Sequence, residues 1–187
     1  MRIVGIDPGA QGAIACIETR GPHVLDARDL VVVDLDRSMA VVDEDWLALL
    51  ITDWRPEAIA VERQGPIYDP KRKLRFRGSA VAKLMMIAGS IIAVCRLAGT
   101  PMHFVTPATW KQALGLTHKP KDYAIHRALA LFPESNLFRH GRGSGPKTAA
   151  VARAEAALIA WSVWLRALRS TAIEMNNGRP VGAAARM

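Results

Sequence analysis

The sequence predicts an α/β domain: a five-stranded mixed sheet flanked by helices, with the first three strands antiparallel and the last two parallel to the first. Two observations carry this prediction. Residues 1–35 hold three Ile- and Val-rich runs separated by turn-forming residues, which reads as a hairpin followed by a third strand. Residues 44–62 then read as a helix followed by a short strand, and a strand–helix–strand order favours a right-handed crossover that sets the first and fourth strands side by side and parallel.

Taken in order, residues 1–6 form the first strand and lead into Asp7-Pro8-Gly9-Ala10-Gln11-Gly12, which must turn the chain. Residues 13–17 return as the second strand, and residues 24–35 supply the third. Trp46, Leu47, Leu50, Ile51 and Trp54 recur at helical spacing over residues 44–54, and Arg55-Pro56 ends that helix. Residues 58–62 are the fourth strand. Residues 63–77 combine Gly65, Pro66 and Pro70 with Lys71, Arg72, Lys73, Arg75 and Arg77, the chemistry of a basic loop. A long apolar helix follows over residues 79–98, then a last strand over 102–105, and Thr106-Pro107 caps the next helix. The remainder is helical apart from a glycine-rich loop at 141–145, with the final helix over 148–168. One domain over residues 1–170 and a flexible tail over 171–187 are expected from length and composition.

Composition narrows the function classes. The net charge of +8 is unevenly spread: residues 1–62 carry five Lys/Arg against twelve Asp/Glu, and residues 63–187 carry twenty against five. That field suits a polyanion bound by the later part of the chain, because Lys and Arg that neutralise phosphates release condensed counterions; it equally suits a solvated surface. Cys16 and Cys95 lie in apolar runs without metal-ligand spacing, so neither a zinc site nor a disulfide framework is indicated. No signal-peptide pattern opens the chain, and the apolar stretch at 84–95 is short for a bilayer, which needs ~20 residues, so it reads as a buried helix. A cytoplasmic protein without membrane or nucleotide-cofactor partners is expected.

Asp7 ends the first strand on the face shared with Ile3 and Gly5, and Glu62 ends the fourth in the same way. Parallel neighbours would bring both carboxylates to one sheet edge, in the crevice where open α/β sheets bind ligands. Of the five acids after residue 62, Glu155 alone sits in a mostly apolar helix, on a face with Val151, Leu158 and Ser162. Three converging acids form an oxygen-donor set for a hard divalent cation, which would offset the burial of Glu155. The five tryptophans fall at core-like helical spacing and are expected to pack.

Gly5-Ile6-Asp7-Pro8-Gly9, Ala60-Val61-Glu62, Thr106-Pro107-Ala108-Thr109-Trp110-Lys111 and Arg153-Ala154-Glu155-Ala156-Ala157-Leu158 follow one another along nearly the whole chain. In this order they resemble the motifs of the RuvC-type Holliday junction resolvases of the ribonuclease H-like superfamily, especially the phage-like and prophage-like branch. The resemblance implies a homodimer that binds four-way or other branched DNA and makes paired nicks. It implies Mg²⁺, with Mn²⁺ as a substitute, held by Asp7, Glu62 and Glu155, with Asp7 bridging. A bacterial or phage-infected host cell is the implied setting. Lys111, Lys119 and Lys121 fall where that family places phosphate-binding lysines; Arg63, Tyr68 and Arg75, in the loop after Glu62, are further DNA-binding candidates, with Tyr68 or Phe76 able to stack on an unpaired base. One departure stands out: where the family carries a fourth acid or histidine one turn before the last carboxylate, this chain has Ala149, Ala150, Val151 and Ala152.

Other readings remain at the level of sequence. A junction-binding module with weak or no cleavage keeps the fold but lacks turnover. A nuclease with broader taste for flaps and forks shares every motif. A phosphotransferase of the actin and sugar-kinase type also opens on an Asp-Gly turn, but it needs two such domains.

Overall fold

The computed structural model describes residues 1–36, 39–64, 78–136, 138 and 147–176, the side chains of Lys147 and of residues 171–176 excepted. The elements in chain order are β1 (Arg2–Asp7), β2 (Ala13–Glu18), β3 (His23–Asp29), β4 (Val32–Asp34), β5 (Ala40–Val42), α1 (Glu44–Trp54), β6 (Ala58–Glu62), α2 (Gly78–Leu97), β7 (Met102–Val105), α3 (Pro107–Ala113), α4 (Tyr123–Leu131) and α5 (Lys147–Asn176). Five strands form the main sheet in the order β3-β2-β1-β6-β7. β1–β2 and β2–β3 are antiparallel, whereas β1–β6 and β6–β7 are parallel, as the crossover argument requires.

Local signals explain the boundaries that sequence placed correctly. Asp43 caps α1, accepting from the Trp46 N–H at 2.9 Å, and Glu44 and Asp45 favour the positive end of the helix dipole. Arg55 adopts the left-handed conformation that closes the helix (φ 47°), and Pro56 cannot continue it. Thr106 caps α3 in the same manner, with Pro107 in its first turn.

The single strand expected over residues 24–35 is instead two. β2 pairs with β3 as far as Ala13↔Asp29, where β2 runs out of partners to offer. Leu30 is buried there, its N–H donating to the Gly12 carbonyl, and the chain leaves to pair β4 with β5 in a separate two-stranded sheet. A second difference concerns the apolar helix. α2 is 20 residues long, and by length and composition both α2 and the Thr148–Ser170 stretch of α5 would suffice to cross a membrane. In α5 72% of that apolar window is buried within the fold, but in α2 only 28% is, so α2 is not the buried helix expected. Ile87, Ala88, Ile91, Val94 and Cys95 face the core, while Met85 and Leu97 stay exposed. α5 also continues past the expected end near Leu168, and the glycine-rich loop at 141–145 and residues 177–187 lie outside the described residues.

Two cores follow from the two faces of the sheet. Val4, Ile6, Ile14, Cys16, Ile59 and Val61 point toward α1, α2 and β5. The opposite face presents Ile3, Ala13, Ala15, Ala58 and Ala60 to α5 and its neighbours. One side is thus lined by branched residues and the other mostly by alanine, so α5 can lie close against the sheet. Gly5 marks the tightest point: a Cβ there would stand 2.0 Å from the Ala156 carbonyl oxygen and 2.7 Å from the Ala160 nitrogen. Both cysteines are free and buried, and burial pushes their thiols up to about 12.

Because helix backbone cannot give way as a flexible side chain can, Gly5→Ala is expected to lift α5 from β1. The expected cost is about 1–3 kcal/mol, read as a lower urea midpoint at unchanged m-value. An unaltered midpoint would show that the contact is looser than described.

Candidate active site

The turn after β1 fixes the first acid. Gly12 donates to the Gly9 carbonyl at 3.0 Å, and a Cβ at Gly12 would stand 2.1 Å from the Asp7 carbonyl oxygen. This glycine therefore serves the turn's own compactness. Gln64 ties the same turn to the chain leaving β6, its side-chain amide donating to the Pro8 carbonyl at 3.1 Å.

In the β1–β6 register the last pair is Ile6↔Val61, so Asp7 and Glu62 are the next residues out on neighbouring strands. Alternation directs both to the α5 face, with Ile3, Gly5, Ala58 and Ala60 behind them. Asp7 feels the negative charges of Glu62 and Glu155. Its pKa stands well above the ordinary carboxylate value, first because of burial, then because of the Glu62 and Glu155 anions, with Lys121 opposing. Glu155 is 5% exposed and its pKa is likewise raised by burial, against the pull of Lys121 and Lys111. The three sequence-predicted acids thus interact electrostatically, and in Asp7 and Glu155 desolvation outweighs the favourable cations.

Glu155 is faced by an ammonium on each oxygen: Lys111 Nζ lies 3.7 Å from Oε1 and Lys121 Nζ 3.8 Å from Oε2. Lys111 rests over the Trp110 ring, 5.1 Å from its centroid, and Lys119 over Tyr123 at 5.4 Å. These lysines line a small cavity with Trp110, Leu116, Pro120, Ala124 and Glu155. The segment between α3 and α4 that presents Lys119 and Lys121 bends through two positive-φ residues, Gly115 (φ 70°) and His118 (φ 62°). Among the described residues no three His, Cys, Asp or Glu form a ready-made metal cage.

Trp110 does more than sequence reading assigned to it. It is 1% exposed and belongs to the core, as expected, yet its indole N–H also points at Glu62 Oε1 at a long 3.4 Å. Helical spacing identifies a core tryptophan but is silent about where its one donor goes. Arg153, beside Glu155, pairs with Asp29 at 2.8 Å and pins α5 to β3. Arg63 is exposed, and its N–H continues the sheet to the Val105 carbonyl at 2.7 Å. Tyr68, Arg75 and Phe76 lie outside the described residues. One turn before Glu155, Val151 and Ala152 are buried and contribute no fourth acid.

The raised acids set a pH dependence. Above the ordinary carboxylate range the unfolded chain has released protons that folded Asp7 and Glu155 still hold. The contribution of these two groups to the stability of the metal-free protein is therefore fully present below the ordinary carboxylate range and is lost as pH rises through the raised native values. Asp7→Asn removes the most strongly shifted group, so the fall in urea stability between pH 5 and pH 8 is expected to flatten, by on the order of 1 kcal/mol. An identical slope in the variant would refute the coupling.

No family model matches the chain. Two solved structures of Thermus thermophilus RuvC superpose on 91% of this chain and 98% of theirs with a TM-score of 0.64. One, in complex with a Holliday junction substrate, is 18% identical to this chain; the other is 19% identical. The mixed sheet, its parallel β1–β6–β7 half and the long α5 laid across it are thus the architecture of RuvC, and the chain has the RuvC ribonuclease H-like fold.

Proposed function

We propose that the protein is a metal-dependent DNA endonuclease that resolves four-way junctions by paired nicks. The observation that carries this reading is the placement of Asp7 and Glu62 at the ends of neighbouring parallel strands of a RuvC-type sheet, with Glu155 of α5 close enough for its charge to act on Asp7. Asp7 and Glu155, both buried and with raised pKa values beside Glu62, suit a hard divalent cation. Carboxylate oxygens are its preferred donors, and its charge would replace the missing compensation. Asp7 and Glu62 would hold the ion, with Glu155 completing the set; Mg²⁺ fits, and Mn²⁺ is the natural substitute. When bound, such an ion supplies Lewis-acid activation of water and stabilisation of charge on the leaving oxygen.

The chain's own residues do the rest. Lys111, Lys119 and Lys121 offer ammonium groups to the backbone phosphates beside the acids, and Arg63 extends the positive edge. Trp110 directs a donor at Glu62 and restricts where that carboxylate turns. In-line attack by water on phosphorus would leave 5′-phosphate and 3′-hydroxyl ends that a ligase can reseal. A bacterial or phage-infected cytoplasm is the setting in which we place it.

Paired nicks need two active sites, and the exposed side of α2 supports a second copy of the chain as the partner. Met85, Ala88 and Ile92 of α2 line a groove of about 300 Å³ with Val61 and Phe104, its polar end formed by Glu62, Arg63 and Gln64, and Leu97 of the same helix is 88% exposed. Sedimentation is expected to show a dimer, and Met85→Glu with Leu97→Glu a monomer. A wild-type monomer at micromolar concentration would remove the dimer from the account.

The absence of an acid at Val151 and Ala152 favours a second reading, a junction-binding module with little turnover. A labelled four-way junction with Mg²⁺ or Mn²⁺ separates them. Symmetric nicks, reduced at least a hundredfold by Asp7→Asn, are expected; tight binding without cleavage supports the module. Equal cleavage of flaps, forks and junctions would instead assign a broader branched-DNA nuclease.

A further inference from the structure

Glu155 has two claimants that differ in their freedom. Its carboxylate is 7% exposed, locked in α5 beneath Gly5 and the Ala-rich packing surface. Lys111 is 38% exposed and Lys121 75% exposed, so each is a long side chain anchored at its base and free to reach outward. At 3.7 and 3.8 Å the pairs are loose contacts without tight hydrogen-bond geometry. Partly solvated pairs of this kind exchange readily.

The charge balance is suggestive. Two ammonium groups bring the same positive charge to Glu155 as one divalent ion. An ion held by Asp7 and Glu62 and drawing in Glu155 would leave both lysines without their anion, beside the phosphate path. We infer that Glu155 is a metal-operated retainer: without metal it holds Lys111 and Lys121 in the site, and the divalent ion, by taking this carboxylate, releases both lysines onto the DNA backbone. The inference rests on the nuclease reading above and adds to it a positive coupling between metal binding and DNA binding, which is reciprocal by linkage. Lys119 is the internal control. Its partner is the Tyr123 ring, not Glu155, so its contribution to DNA binding is the same in both states.

The test is junction affinity by fluorescence anisotropy over a range of salt, in EDTA and in Ca²⁺. Wild type is compared with Lys111→Gln/Lys121→Gln, with Lys119→Gln and with the near-isosteric Glu155→Gln. In EDTA the double lysine variant is expected to bind within about twofold of wild type. In Ca²⁺ it is expected to bind at least tenfold more weakly, with a salt slope shallower by roughly 1.8, the value for two lost phosphate contacts. Lys119→Gln loses the same factor in both conditions. Glu155→Gln in EDTA gains affinity, and removing the two lysines from that background abolishes the gain.

Should the double lysine variant lose as much affinity in EDTA as in Ca²⁺, the lysines already contact DNA without metal and the retainer is refuted, while junction binding stands. Should no form bind a four-way junction in either condition, the nuclease reading fails and takes the retainer with it.

Discussion

The approach of α5 to β1 at Gly5 is the constraint on which the rest of the structure depends. A helix carrying an acid can serve a site at the end of a strand only if its backbone comes within touching distance of the sheet. Here that distance is set by a missing side chain, because an ordinary Cβ at Gly5 would overlap the Ala156 carbonyl. Ala13, Ala15, Ala58 and Ala60 below, and Ala152, Ala156, Ala157 and Ala160 above, extend the same economy of volume over the whole contact. Glu155 occupies the position before Ala156, so the packing that fixes the helix also fixes the depth of the third carboxylate.

Close packing and negative charge pull in opposite directions at this edge. Burial stabilises the alanine contact but strips water from Asp7 and Glu155, and both are pushed toward their protonated forms. The protein answers with Lys111 and Lys121 on Glu155 and an indole N–H toward Glu62. These measures are partial. The remaining strain is what the proposed cation would relieve.

Much of this was legible in the sequence because the signals are local. Asp7 and Glu62 announced themselves by ending apolar strands, and Glu155 by interrupting an apolar helix. The ends of α1 matched their expected positions because Asp43, Arg55 and Pro56 act within one turn. The division of residues 24–35 between β3 and β4 was not legible, since it depends on where β2 stops offering partners, a fact about another strand. The pairing of Lys111 and Lys121 with Glu155 was hidden for the same reason: the partners lie on different elements, far apart in the chain. The two faces of β1, branched on one side and small on the other, were written in the sequence. Their meaning emerged only with the helix that covers the small face. The exposed side of α2 shows the complementary case, in which apolar composition alone did not distinguish a core helix from one with an exposed apolar face.

The central claim is that Asp7, Glu62 and Glu155 converge to hold a divalent ion. A crystal grown with Mn²⁺ tests it directly through anomalous density. The account predicts an ion bound between Asp7 and Glu62, at roughly the 2.0–2.2 Å typical of small hard cations on carboxylate oxygen, with Glu155 turned toward it and away from the two lysines. Anomalous density absent from that edge, with the three carboxylates still facing one another and the lysines unmoved, would contradict it.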